Sequence, residues 1–225
     1  MRPPLKIFAV LPLLTFLTLV PTAESAVCQG SLLLGLNAGP GALGNLTVSN
    51  ISASLPLRLR LGLGFATMNP GKAEDARRVF INDNSGGTPE KHGRFWTIGL
   101  DLVQPLSATT GRRIDGYIGP RYGMFDGHFR YVGDNEEFDV TGRSWGAGAG
   151  LEVSADISSR FALLVSGGAE YYRPGNLHGH DATYSPNDDN VNSRKDYQYD
   201  DADEAINQPS VEMKLMGGVN YRFGR

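Results

Sequence analysis

A single cysteine, Cys28, in 225 residues leaves no intramolecular disulfide to form. No segment is long enough to cross a bilayer as a helix either. The one sustained apolar run, Ile7 to Val20, falls short of the roughly 20 residues such a helix needs, and Pro12 and Pro21 weaken it further. Arg2 and Lys6 precede that run, and the small residues Thr22-Ala23-Glu24-Ser25-Ala26 follow it. This is the layout of a secretory signal cleaved after Ser25 or Ala26, so we expect an export signal at residues 1–25 and one domain at 26–225. A lipoprotein reading of Cys28 is poorly served, because Leu is missing three residues before it and Val27 stands where a small residue belongs.

Basic residues are also in deficit. The formal net charge is −3, and loss of Arg2, Lys6 and Glu24 with the signal makes the mature chain slightly more acidic, which argues against nucleic acid as a partner. Hydrophobic residues make up only 40%, below the ~45–50% of ordinary soluble domains. What is abundant is glycine, at 29 residues, and strict alternation. Leu55 to Phe65 carries its leucines and Phe65 on one face and Arg58, Arg60, Gly62 and Gly64 on the other. The same period predicts strands over Phe95 to Leu106, Ile114 to Tyr131, Val140 to Ala155, Phe161 to Tyr172 and Val211 to Phe223. Gly39-Pro40-Gly41 marks a turn that splits the preceding stretch into Ser31 to Ala38 and Ala42 to Ala53; merging the two into one long strand is the alternative.

One apolar and one polar face per strand, with no apolar helix, predicts an all-β fold: a transmembrane antiparallel up-and-down β-barrel of eight strands with long loops at one end. Short turns fall near 51–54, 107–112 and 156–159, whereas 69–93 and 173–209 are long, polar and on the same end. A soluble barrel turned inside out is disfavoured, because the polar face is glycine-rich and Trp96, Trp145, Tyr171, Tyr172, Tyr221 and Phe223 sit towards strand ends, where interfacial girdles belong. No internal repeat is visible, and the chain stops at Arg225, so no further domain is expected.

In this pattern the chain resembles the small outer-membrane β-barrel superfamily of the opacity proteins and the transmembrane domain of outer membrane protein A. Its specific motif is a carboxy-terminal insertion signal, matched by Gly218-x-x-Tyr221-x-Phe223, although Gly224-Arg225 follow the aromatic and Met216 replaces a polar residue. The resemblance implies an integral protein of a Gram-negative-type outer membrane. Its partners would be outer-membrane lipids and lipopolysaccharide, the barrel assembly machinery and periplasmic chaperones, with an external ligand of unknown chemistry and no cofactor.

Chemistry-bearing residues fall into two groups. The inward phases bring together Arg58, Arg60, Asp101, Arg121, Glu152, Glu170, Glu212, Lys214 and Arg222, a charge network expected to pair because an unpaired buried charge costs several kcal/mol. The 173–209 loop carries His178, His180, Asp181, Asp188 and Asp189 as candidate metal ligands, against the plainer reading of a hydrated acidic loop. That loop is expected to be mobile, so that 176–206 can be excised without loss of the barrel. Arg77 and Arg78 are candidates for lipopolysaccharide phosphates, with ordinary loop packing as the alternative. His128 alone among four histidines lies near a strand end, with no serine fixed beside it, so no catalytic residue is assigned. The reading is a non-enzymatic outer-membrane barrel with surface loops; a narrow pore is the alternative, and a lipid A acyl hydrolase or transferase a third.

Overall fold

Alternating sequence becomes a closed surface. In the computed structural model, which describes residues 27–49, 57–192 and 194–223, the chain forms β1 (Cys28–Asn37), β2 (Pro40–Val48), β3 (Arg58–Met68), α1 (Ala73–Phe80), β4 (Thr88–Thr109), β5 (Arg112–Val132), β6 (Glu136–Asp156), β7 (Phe161–Tyr172), β8 (Leu177–His178), β9 (Thr183–Tyr184), α2 (Tyr199–Ala205) and β10 (Val211–Phe223). Strands β1 to β7 and β10 pair antiparallel with their chain neighbours, and β1 pairs with β10 to close an eight-stranded barrel. Closure leaves the barrel wall no free edge, the condition a sheet must meet in lipid. The export signal at 1–25, the turn near 51–54 and Gly224-Arg225 lie outside the described residues.

The stretch before β3 does form two strands, β1 and β2, paired from Cys28↔Val48 to Leu36↔Pro40. The single-strand alternative is thereby excluded. The turn falls on Ala38 and Gly39, one residue earlier than the Gly-Pro-Gly motif suggests, with Ala38 at a φ of 60°.

The outer wall is apolar along every strand. Leu63, Ile98, Leu100, Ile118, Leu151, Val165 and Leu215 are all more than 40% exposed, while Thr97, Asp101, Arg121, Glu152, Ser166 and Lys214 are buried inside. Aromatic pairs edge this band: Phe65–Trp96 and Tyr122–Trp145 at one end, Phe161–Tyr221 and Tyr221–Phe223 at the other. From Trp96 to Leu106, roughly ten residue steps of ~3.3 Å on a strand tilted by ~40° give a band about 25 Å tall, the height expected of an outer-membrane barrel.

Strands β4, β5 and β6 are 22, 21 and 21 residues long and run well past that band. The side-chain phase is unbroken but its polarity inverts. In β5, Ile118, Pro120, Tyr122 and Met124 point out below the girdle, and Asp126, His128 and Arg130 point out above it. On the other face, Arg121 gives way to Phe125, Phe129 and Tyr131, all buried. Strand β4 begins seven residues before the expected Phe95 because its apolar-out pattern ends at Trp96, where the strand leaves lipid for water, and β6 begins four before the expected Val140.

If the exposed leucines meet lipid, Leu100→Arg at mid-band should destabilise the barrel by about 2–4 kcal/mol. Leu100→Ala should cost far less. Urea-dependent folding into phosphatidylcholine vesicles measures both, and equal stabilities would place this face in water.

Candidate functional sites in the lumen and at the external end

The lumen is filled by a chain of ion pairs. Arg58 of β3 pairs with Asp115 of β5. Arg60 bridges Asp101 and Glu152, at 2.8 Å each. Arg121 bridges Asp101 at 2.6 Å and Glu170 at 2.8 Å, and Lys214 reaches Glu170 at 3.1 Å. Four cations thus meet four carboxylates, contributed by six different strands. Arg113 adds a contact to Asp115 at 2.8 Å from the periplasmic side. The Tyr117 ring lies between Arg60 and Lys214, with their charged ends 4.3 and 5.1 Å from its centroid, and the Tyr172 hydroxyl donates to Glu170 at 2.8 Å.

Glycine makes room for this plug. A Cβ at Gly99 or Gly148 would lie 2.9 or 2.8 Å from the Arg121 guanidinium, so the two residues flank it as a slot. Beside the ion pairs, Leu33, Leu43, Leu164 and Met216 form a small apolar cluster inside the barrel, which accounts for Met216 in place of a polar residue. Among the described residues, two voids beside the ion pairs measure about 10 Å³ each, room for about one water apiece.

Of the nine charged residues expected inside, the structure gathers Arg58, Arg60, Asp101, Arg121, Glu152, Glu170 and Lys214. Glu212 has the inward phase but stands opposite Glu170, and among the described residues it makes no ion pair. Arg222 lies at the short-turn rim and pairs with Asp156 of the β6 end. Phase sets the face but neither the depth, which puts Arg222 at the rim, nor the charge across the strand, which for Glu212 is that of Glu170. Asp115, fully buried, is the residue the sequence reading missed. Its signal was present, since Asp115 shares the inward phase of Arg121 three steps of two residues away. Of the residues expected to form an insertion signal, Gly218 lies so close to β1 that a Cβ would meet the Leu32 carbonyl oxygen, and Tyr221 and Phe223 belong to the aromatic girdle at the short-turn end.

The external end is a folded cap, and the expectation of a mobile, excisable 173–209 loop does not hold. Phe80 and Val79 of α1, Leu177, Tyr184, Tyr199 and Ile206 of the long loop, and Phe95, Phe125, Phe129, Phe138 and Tyr172 of the strands form one buried apolar cluster. The polar composition of the loop hid this core, because its few apolar residues, Val191 excepted, gather in one cluster. Tyrosine hydroxyls tie it to the backbone: Tyr184 donates to Val79 O at 2.8 Å, Tyr131 to Ala73 O at 2.5 Å and Tyr199 to Gly175 O at 3.2 Å. Burial pushes the Tyr199 phenol up to about 12.

Arg77 is completely buried and pairs with Asp134 and Glu136 of the β5–β6 hairpin, with its guanidinium 3.9 Å from the Tyr131 ring centroid. Burial opposes its charge, but the two carboxylates outweigh this and raise its pKa. It is therefore a loop-packing residue and not available to a phosphate; Arg78 is exposed and lies 3.8 Å from Asp75. His178 contacts Thr183 and His180 contacts Asp181, and among the described residues no three His, Cys, Asp or Glu side chains converge as metal ligands. The partners of His128 are Asp139 at 2.7 Å, Glu137 at 3.5 Å and the ring of His92.

A closed eight-stranded barrel with an apolar girdled wall and a polar, filled lumen is the fold of a small outer-membrane β-barrel. Among solved structures, a major outer membrane protein from Thermus thermophilus superposes with a TM-score of 0.72 at 22% identity, over 89% of this chain and 100% of that one. CarO of Acinetobacter baumannii covers 90% of this chain and 100% of its own at 13% identity, but its TM-score of 0.42 is too low to inform the site. The likeness is therefore one of fold. No protein-family model and no curated protein matches the chain.

Arg60→Ala removes the cation between Asp101 and Glu152 and should cost about 3–5 kcal/mol in urea unfolding from vesicles, as expected when one partner of a buried pair is lost. Phe80→Ala should cost about 3–5 kcal/mol within the cap and leave the barrel folded. Limited proteolysis should then cut the 173–209 segment while heat-modifiable migration on gels persists; wild-type protein should resist that cut.

Proposed function

We propose that this is a non-enzymatic integral outer-membrane protein in which the barrel is a closed anchor and the folded cap meets partners at the cell surface. The observation that carries this reading is the filled lumen. The ion-paired plug and the apolar cluster leave voids of single-water size, which favours an anchor over a path for solutes. The cap supports the second half, since an apolar core and several buried hydrogen bonds hold a defined surface beyond the membrane.

The reading brings its partners with it. An export signal at residues 1–25 would deliver the chain, periplasmic chaperones would carry it, and the barrel assembly machinery would read Gly218-x-x-Tyr221-x-Phe223. In this reading His128 serves the surface of the cap, where it contacts Asp139, Glu137 and the ring of His92.

Reconstitution into planar bilayers tests the anchor. Wild-type protein should give near-zero conductance, and Arg121→Ala, which opens the slot between Gly99 and Gly148, should raise it. Steady single-channel currents from wild-type protein would establish the narrow pore instead. Lipid A from cells with and without the gene should have the same acyl pattern by mass spectrometry; a changed pattern would make the protein an acyl hydrolase or transferase.

A further inference from the structure

Three exposed arginines at the cap end of the lipid-facing band belong to neither ion-pair system. Arg94 lies in β4, Arg143 in β6, and Arg173 directly follows β7; among the described residues none of the three is ion-paired. All three point outward, and the strand register fixes their level. One lateral row of neighbours runs Thr67, Arg94, Asp126, Thr141, and the row below runs Phe65, Trp96, Met124, Arg143. The next runs Leu63, Ile98, Tyr122, Trp145 and reaches Arg173, whose backbone N–H donates to Trp145 O at 2.9 Å. The arginines thus step down across the rows from β4 to β7. Strands that tilt against the barrel axis convert such a stagger into a common height.

Each arginine also has an aromatic residue on its own face, two positions nearer the bilayer. These are Trp96, Trp145 and Tyr171, exposed by 42%, 66% and 52%. Tryptophan and tyrosine mark the headgroup level, so the guanidinium groups stand at or just above it. Asp126, across from Arg94, is the one carboxylate among these rows and makes no ion pair among the described residues, which leaves the belt net positive. Charges further from the membrane are matched among themselves, with Arg130 near Glu90 and His128 between Asp139 and Glu137.

We infer that Arg94, Arg143 and Arg173 form a belt that binds the phosphate groups of outer-leaflet lipid headgroups. A guanidinium donates two parallel N–H bonds to a phosphate and stays charged at any relevant pH, and a low-dielectric interface strengthens the attraction. The aromatic residues beneath pack against the same lipid's acyl end and hold the protein at that depth. The belt covers the side of the barrel formed by β4 to β7. The inference rests on the outer-membrane placement proposed above.

The test uses full-length folded protein in a neutral detergent, titrated separately with diphosphoryl lipid A, phosphatidylcholine and inorganic phosphate, with bound molecules counted by native mass spectrometry. Wild-type protein should retain lipid A in preference to phosphatidylcholine. The Arg143→Ala/Arg173→Ala double variant should bind lipid A about tenfold more weakly or worse. Arg112→Ala, at the opposite end of the barrel, should bind as wild type does. Equal retention by wild type and the double variant would overturn the inference, and so would inorganic phosphate binding as well as lipid A, because the site would then hold a bare ion. Arg173→Glu alone gives the same reading if the double variant does not fold. Insertion of wild-type protein into phosphatidylcholine vesicles is scored separately, and its failure would count against the membrane placement and not against the belt.

Discussion

A strand that leaves lipid for water must exchange what its two faces carry. In lipid, the outer face can offer no polar group, and every backbone donor and acceptor must be paired within the wall. Here the pairing is met by closure of β10 on β1, and the outer face by the alternation of Leu, Ile, Val and aromatic residues. Above Trp96, Met124 and Trp145 the surrounding medium is water, and the same strands turn polar outward and apolar inward without shifting phase. Both the ion-paired lumen and the apolar cap follow from that single boundary.

Inside the lipid-embedded part, the inner face cannot be apolar throughout, because eight strands enclose a narrow space that side chains must fill and match. Glycines at Gly99 and Gly148 admit the Arg121 guanidinium, and carboxylates from β4, β6 and β7 surround the cations of β3, β5 and β10. Such pairs add little net stability over an apolar filling, but loss of one partner is costly, so the plug resists piecemeal opening. Beyond the girdle the inner face becomes an ordinary water-soluble core. There α1 and the 173–209 segment close over Phe125, Phe129 and Tyr172 as helices and loops close over any sheet.

Much of the lipid-embedded part was legible in the sequence, because a period of two with apolar residues on one face is what lipid imposes. Phe161–Tyr172 and Val211–Phe223 coincide with the observed strands, and the inward placement of Arg60, Arg121 and Lys214 followed from phase alone. Depth and neighbours were not legible: Arg222 shares the inward phase but lies at the rim beside Asp156, and Glu212 shares it but stands opposite the like-charged Glu170. The cap was the least legible part. Its burial depends on contacts between Phe80, Tyr184 and Ile206, which are far apart in sequence, and Asp and Asn residues between them give the segment the composition of a solvated loop. Arg77 shows the same limit, since a cation in a polar loop carries no local sign that two carboxylates of another hairpin will bury it.

The inversion of polarity along one strand can be measured directly. In a Cys28→Ser background, nitroxide labels placed singly at Ile118, Tyr122, Asp126, His128 and Arg130 of β5 report contact with oxygen, which concentrates in lipid, and with a water-soluble nickel complex. Oxygen should dominate at Ile118 and Tyr122 and the nickel complex at Asp126, His128 and Arg130, with the crossover at Met124. Labels that all favour lipid, or all favour water, along this face would contradict the inversion.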